Sequence, residues 1–121
     1  MKKGYVSIIL HTHMPFVRHP ELEDALEERW LFEAISECYI PLINVYDNLI
    51  RDNVDFKITM SITPPLMSML EDEYLNERYL NYLKQSIELS EKEIIRTKNN
   101  DELNKLAHFY NKRFNNILKN I

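Results

Sequence analysis

The chain has 121 residues and a mass of 14.6 kDa, which limits it to a single domain. Hydrophobic residues make up 45% of the sequence, so enough apolar surface is present to offset the entropy lost on folding, and intrinsic disorder is excluded. The formal charge of −4 argues against a nucleic-acid-binding protein, because such a protein needs positive charge to neutralise phosphates.

The cysteine content and the apolar runs indicate a cellular location. Cys38 is the only cysteine, so no intrachain disulfide can form and a reducing compartment is expected. No run of residues approaches the roughly 18 apolar positions that a membrane span needs. The apolar run near the N-terminus is too short for a signal peptide, and His11 and His13 follow it where small residues are required. We therefore expect a cytoplasmic protein without a membrane partner.

The first predicted element is a strand over residues 5–13, a nearly continuous run of apolar and β-branched side chains. A run of this length is too short for a typical helix and is typical of a strand buried on both faces in a parallel sheet. Pro15 and Pro20 then predict a loop that continues to Asp24.

A long amphipathic helix is predicted from Leu26 to Ile50, because apolar residues recur there every three or four positions. The predicted apolar stripe, in which the cysteine acts as a small hydrophobe, consists of Leu31, Ala34, Ile35, Cys38, Leu42, Val45 and Leu49. Pro41 lies inside this helix, where it removes one backbone hydrogen bond. The stripe keeps its phase across Pro41, so we expect one kinked helix rather than two.

A second strand is predicted over residues 56–62, with alternate side chains on opposite faces. One predicted face carries Phe56, Ile58, Met60 and Ile62, and the other carries Lys57, Thr59 and Ser61. A short helix is predicted over residues 66–70. A longer helix is expected from an N-cap at Asn76 to Thr97, and a last helix capped by Asp101 is expected to reach the chain end.

The order of these elements predicts an α/β fold that is mostly helical by residue count. A strand, a crossover helix and a second strand form a βαβ unit, which is almost always right-handed with parallel strands. Two strands are too few for an independent parallel sheet. Gly4 is the only glycine, which also favours long helices with few turns, or one piece of a larger fold. We therefore predict the βαβαα beginning of an α/β barrel or doubly wound sheet.

His11 and His13 are the strongest candidates for a functional site. Residues two apart in a strand point to the same face, and these two lie at the carboxyl end, where α/β barrels place their active sites. Two adjacent imidazoles pack poorly in a core, because each carries a polar edge that needs a partner. The pattern therefore favours ligand binding over a role in fixing the turn.

Two other functions remain open at this point. The pair also suits a divalent metal in a metal-dependent hydrolase, although zinc needs three or four ligands and the other histidines, His19 and His108, have no convincing spacing. The second alternative is a non-enzymatic helical module whose apolar sheet edge binds a partner. Analysis of bound metal would test the first alternative, and the coding sequence beyond Ile121 would test the second. The open sheet edges also predict that the chain by itself associates with further copies.

The segment HTHMPFVRHPELEDALEERWLFEAISECYIPLINVYDNL, from His11 to Leu49, resembles the start of glycoside hydrolase family 57 and is most similar to its 1,4-α-glucan branching enzymes. The segments ITPPLMSML and RYLNYLKQSIELSEKEIIRTK extend the resemblance over nearly the whole chain. It implies an incomplete seven-stranded (β/α) barrel that acts on α-glucans such as starch or glycogen, with retention of configuration and no metal or other cofactor.

The resemblance also assigns roles to residues. His11 and His13 match the family histidines that line the sugar subsite at the cleavage point, so they are the predicted substrate-binding residues. Residues 1–121 correspond to the N-terminal part of a single catalytic barrel domain. The family's glutamate nucleophile and aspartate acid/base lie on later strands. We therefore predict no catalytic residue in this chain and no activity for it alone.

Overall fold

The computed structural model describes residues 3–121 of the chain. These residues contain two short strands and five α-helices. The strands are β1 (Ile9–Thr12) and β2 (Thr59–Ile62). The helices are α1 (Leu26–Ala34), α2 (Ile40–Arg51), α3 (Pro64–Leu70), α4 (Glu73–Arg96) and α5 (Asp101–Asn120). None of the helices in the described residues is both long enough and apolar enough to cross a membrane.

The two strands pair in parallel, as the βαβ order predicts. Ile9 lies opposite Thr59, and His11 lies opposite Ser61. Both strands are shorter than the predicted spans, because the ladder covers four residue pairs. The predicted burial of the first strand on both faces is wrong for this chain: Tyr5 is 95% exposed and Ile9 is 67% exposed. Within the described residues β1 has β2 as its only strand neighbour, so one edge stays open to solvent.

The long helix is continuous from Leu26 to Arg51, but a π-helical turn at Ile35–Tyr39 interrupts its α-helical pattern. The Ile40 N–H donates to the carbonyl of Ile35, five residues earlier. The turn immediately precedes Pro41, whose ring would clash with the carbonyl of residue 37 in a regular α-helix. The single helix of the prediction is confirmed, and the disturbance that proline causes is a widened turn.

The predicted apolar stripe is buried only before this π-helical turn. Leu31 is 1% exposed, whereas no residue of α2 is buried and Val45 is 50% exposed. Cys38 is exposed, so the prediction that it packs as a small hydrophobe is wrong for this chain. A π-helical turn contains more residues than an α-helical one, which changes the phase of the side chains that follow it.

The hydrophobic core lies between α1, α3, α4 and α5, away from the sheet. Its buried residues are Val17, Leu31, Phe32, Leu66, Met69, Leu75, Tyr79, Leu83 and Ile117. One buried polar pair crosses it, because the hydroxyl groups of Ser36 and Tyr79 are hydrogen-bonded at 2.9 Å. This bond satisfies two hydroxyls that would otherwise be costly to bury. The π-helical turn is therefore attached to the N-terminal third of α4.

The two long C-terminal helices begin at different residues from those predicted. The N-cap of α4 is Asp72, whose Oδ1 accepts a hydrogen bond of 3.0 Å from the Leu75 N–H. Asn76 instead donates its side-chain amide to the Leu70 carbonyl. Asn100, rather than Asp101, caps α5. The predicted N-caps were Asn and Asp residues, as the observed ones are. Where the preceding segment ends decides which Asn or Asp becomes the N-cap.

Polar contacts set the pairing of α4 with α5. The Asn111 side chain donates to Ser90 Oγ at 3.0 Å, and the Asn104 side chain donates to the Ile94 carbonyl at 2.8 Å. Such bonds are possible in only one alignment of the two helices, so they fix the register of this helical hairpin.

Candidate functional site

His11 and His13 lie side by side at the carboxyl end of β1. Their ring centroids are 5.9 Å apart and their planes differ by 14°, so the imidazoles are stacked. Both residues are exposed. The prediction that the two side chains point the same way from the end of the first strand is confirmed. The pair presents two imidazoles to one region of solvent at the strand end.

Ser61 on β2 is the nearest polar neighbour across the sheet. His11 Nδ1 and Ser61 Oγ are hydrogen-bonded, and the two residues occupy the same position in the parallel register. Sequence reasoning assigned Ser61 to one face of the second strand but gave it no function. Its position near the carboxyl end of the second strand was a sequence signal for a functional residue. The strand register that places Ser61 opposite His11 cannot be deduced from either segment alone.

The crossover helix contacts the other face of β2 through one tyrosine. Tyr46 on α2 stacks on Phe56 with ring centroids 5.6 Å apart, and its hydroxyl donates to Met60 Sδ at 3.3 Å. Met60 and Ser61 are adjacent in the strand, so their side chains point to opposite faces. These contacts agree with the two faces predicted for this strand at Phe56, Met60 and Ser61. The histidines lie on the face turned away from the helix, which in an α/β barrel is the interior face.

Contacts with the helices hold the loop that follows the histidines in place. Val17 is 2% exposed, and its N–H donates to Met69 Sδ at 3.2 Å. Arg18 Nε donates to Asp72 Oδ2 at 2.9 Å, and its guanidinium lies 4.8 Å from the centre of the Tyr74 ring. These contacts fix the path of the chain where it leaves the candidate site.

An ion pair between a fully buried glutamate and a partly buried arginine, which we name the Glu28–Arg78 clasp, holds the same loop against α4. Arg78 Nε lies 2.6 Å from Glu28 Oε2, and Glu28 is fully buried. The contact is short, but the N–H is not well aligned with Oε2, since that oxygen has no hydrogen bond of good geometry. The other carboxylate oxygen accepts from the His19 N–H at 2.7 Å. Arg78 also donates to the carbonyls of Leu22 and Glu23, at 3.2 and 2.8 Å.

Sequence reasoning missed this clasp. Glu28 lies in a charged run that is typical of a helix surface, and Arg78 is 50 residues away. The one local signal was that Glu28 lies three residues before Leu31, which places it on the apolar side of α1.

The other two histidines have surroundings different from those of the His11–His13 pair. His19 Nδ1 contacts Glu21 Oε1 at 3.0 Å in the loop, and His108 is exposed on α5. Within residues 3–121, no three His, Cys, Asp or Glu side chains are grouped in a way that could hold a metal ion.

Hydrogen bonding lowers the pKa of Asp72, the N-cap of α4, which accepts a hydrogen bond from Arg18 of the loop. The Leu75 N–H holds the pKa of this carboxyl below its ordinary value of 3.8, partial burial opposes the shift, and Arg18 adds to the lowering. A carboxyl whose pKa is lower in the folded chain contributes stability above its ordinary pKa, and this stability is lost as the pH falls through the lowered pKa.

We expect Asp72→Ala to lower the free energy of unfolding by about 1 kcal/mol at neutral pH, because α4 loses its N-cap. The difference from the wild type should shrink as the pH falls below the ordinary pKa of 3.8 and through the lowered pKa, where the wild-type carboxyl also loses its charge. Urea denaturation across this range measures both effects. Asp72→Asn keeps a capping oxygen without the charge and is the matched control. A difference that stays constant with pH would contradict the assignment.

Comparison with known proteins finds a family profile and related enzymes that match most of this chain. The profile of glycosyl hydrolase family 57 matches residues 7–121. A 1,4-alpha-glucan branching enzyme of Thermococcus kodakarensis is 39% identical over 93 residues, which cover 76% of this chain and 14% of that enzyme.

Two solved structures show the same fold over nearly all of this chain. The alpha-amylase AmyC of Thermotoga maritima superposes with a TM-score of 0.88 and 48% identity, covering 98% of this chain and 22% of that protein. A branching enzyme of the same family from Pyrococcus horikoshii superposes with a TM-score of 0.85 and 34% identity, with the same coverage of both chains. The chain thus spans about a fifth of the length of either solved relative.

Proposed function

The chain belongs to glycosyl hydrolase family 57, and from this premise we propose that it provides the first substrate-binding segment of an enzyme that acts on α-glucans. The stacked His11–His13 pair at the carboxyl end of β1 carries this proposal. Its exposed imidazoles lie at the carboxyl end of β1, the end of the strands at which barrel enzymes bind their substrates. We assign residues 1–121 to the N-terminal part of a single incomplete seven-stranded (β/α) barrel domain.

In this proposal the two histidines bind sugar hydroxyl groups beside the bond that reacts. Imidazole nitrogens can donate and accept hydrogen bonds, which suits hydroxyl groups that do both. A retaining glycosidase also needs two carboxyl groups about 5–5.5 Å apart, one as the nucleophile and one as the acid/base. The role of this chain is therefore to hold the sugar at the cleavage point, and other segments of the enzyme supply the chemistry. No metal or other cofactor has a part in this mechanism.

Within the α-glucan enzymes we propose 1,4-α-glucan branching with retention of configuration. Curated relatives that match at 39% and 34% identity carry the name of this activity. The second candidate is hydrolysis, which the 48% identity with the AmyC amylase favours. The products distinguish the two reactions, because branching creates new side chains without a net increase in reducing ends, whereas hydrolysis creates reducing ends.

We expect His11→Ala and His13→Ala each to lower kcat/KM on amylose about 10- to 100-fold in the enzyme that contains this chain. This range corresponds to the loss of one hydrogen bond that involves a charged or strongly polarised partner. Counting reducing ends and branch points before and after incubation measures both candidate reactions. His108→Ala, which removes an exposed imidazole from α5, is the matched control. Wild-type activity in both histidine variants would contradict the proposed function.

The chain by itself is also expected to associate with further copies through its sheet. Apolar side chains on and before β1 are open to solvent: Val6 is 94% exposed, Ile8 is 58% exposed and Ile9 is 67% exposed. Stable monomers rarely carry large apolar patches beside an unpaired strand edge. A second copy that pairs along this edge would cover both.

Sedimentation at several concentrations measures this association, for which we expect a dimer of micromolar affinity or tighter. Ile8→Lys places a charge beside the open edge and should give a monomer. Leu89→Lys changes a residue of similar exposure, 62%, on α4 and should leave the dimer intact. A wild-type chain that remains a compact monomer at high concentration would contradict the proposal.

A further inference from the structure

The hydrogen bond between His11 and Ser61 restricts the imidazole in a way that stacking does not. The His13 ring lies nearly parallel to the His11 ring, at 14°, and so favours one plane for it. A stacked ring keeps the same plane after a half-turn about the bond that joins it to Cβ, and this half-turn exchanges the positions of its two edges. Stacking alone therefore leaves open which ring nitrogen faces outward.

Ser61 removes this ambiguity. His11 Nδ1 is hydrogen-bonded to Ser61 Oγ, and the parallel register places the two residues opposite each other on adjacent strands. With Nδ1 held against β2, Nε2 is the nitrogen that remains available. A serine hydroxyl can donate or accept, so the bond persists in either neutral tautomer and fixes the orientation of the ring rather than its protonation.

We propose that Ser61 is a positioning residue that turns the His11 imidazole so that Nε2 binds the sugar. The proposal rests on the proposed function, in which His11 is a glucan-binding residue. Ser61 touches the histidine and acts through it. A sugar hydroxyl that meets a single, fixed nitrogen loses less freedom on binding than one that meets a ring with two orientations.

The first test is nitrogen NMR of the chain with labelled histidine and no ligand. In Ser61→Ala the Nδ1 signal of His11 should move, while the Nε2 signal stays close to its wild-type position. Ser61→Thr keeps a hydroxyl at the same site and should restore the wild-type Nδ1 signal. Thr59→Ala is the matched control, because it removes a hydroxyl two residues earlier on the same face, opposite Ile9. An Nδ1 signal unchanged in Ser61→Ala, or moved equally in Thr59→Ala, would overturn the proposal.

The second test uses the enzyme that contains this chain and separates the two hypotheses. Ser61→Ala should lower kcat/KM on amylose about fivefold, Ser61→Thr should recover most of it, and Thr59→Ala should leave it unchanged. A moved Nδ1 signal together with wild-type activity in His11→Ala would refute the glucan-binding role and leave the Ser61 contact intact. Full activity of Ser61→Ala in an enzyme that needs His11 would refute the positioning role alone.

Discussion

Replacing Glu28 with alanine is expected to lower the free energy of unfolding by about 2 to 3 kcal/mol, because buried hydrogen-bonding groups lose their charged partner. Glu28 is fully buried, 2.6 Å from Arg78 Nε. Removing the carboxylate leaves the guanidinium without its counter-charge and the His19 N–H without its acceptor. The loop between β1 and α1 loses its attachment at the same time, so the change affects both the stability of the helices and the path of the chain beside the histidines.

Urea or thermal denaturation measures this loss, with Glu33→Ala as the matched control on the exposed side of the same helix. The double variant Glu28→Leu, Arg78→Met should cost less than Glu28→Ala, because it leaves no unpaired charge in the interior. If Glu28→Ala were no more destabilising than Glu33→Ala, the clasp would contribute nothing to stability.

The chain on its own is expected to cleave no glycosidic bond in amylose and to form no branches. A retaining reaction needs a nucleophilic carboxylate and a carboxylic acid on the two sides of the scissile bond. No acidic residue lies on β1 or β2 or in the three residues that follow each strand. The histidines can bind the sugar, but without both carboxyl groups the positive charge of the transition state is left without its main stabilisation.

This expectation is checked by long incubation of the purified chain with amylose, followed by measurement of reducing ends and branch points. The matched blank is the His13→Ala chain prepared in the same way, since a contaminating enzyme would give the same turnover in both samples. Turnover by the wild-type chain that disappears in His13→Ala would show that the acid and the nucleophile are present within these residues.

The two histidines and the clasp are connected through a single loop. His13 directly follows β1, Val17 is buried and its N–H donates to Met69, and the His19 N–H donates to Glu28. A change in the clasp is therefore expected to be transmitted along a short segment to the candidate site. The sequence predicted a loop here from Pro15 and Pro20, but it did not predict the contacts that hold the loop against the helices.

The sequence by itself determined the features that depend on neighbouring residues. Alternation within a strand places His11 and His13 on one face, and the observed stacking agrees with this geometry. The spacing of apolar residues indicated the helices, and the strand–helix–strand order indicated parallel pairing. The motif that begins at His11 also indicated the family, because a family pattern is itself a property of the sequence.

Tertiary structure decided the features in which distant segments meet. The bond from His11 to Ser61 depends on the strand register, which joins residues 50 positions apart. Glu28 is buried because Arg78 is brought to it from another helix, and its place on the apolar side of α1 does not show that a partner for its charge lies 50 residues away. Cys38 is exposed because a π-helical turn changes the phase of its helix. Local propensities are set by each segment alone, whereas register and charge burial depend on the free energy of the assembled chain.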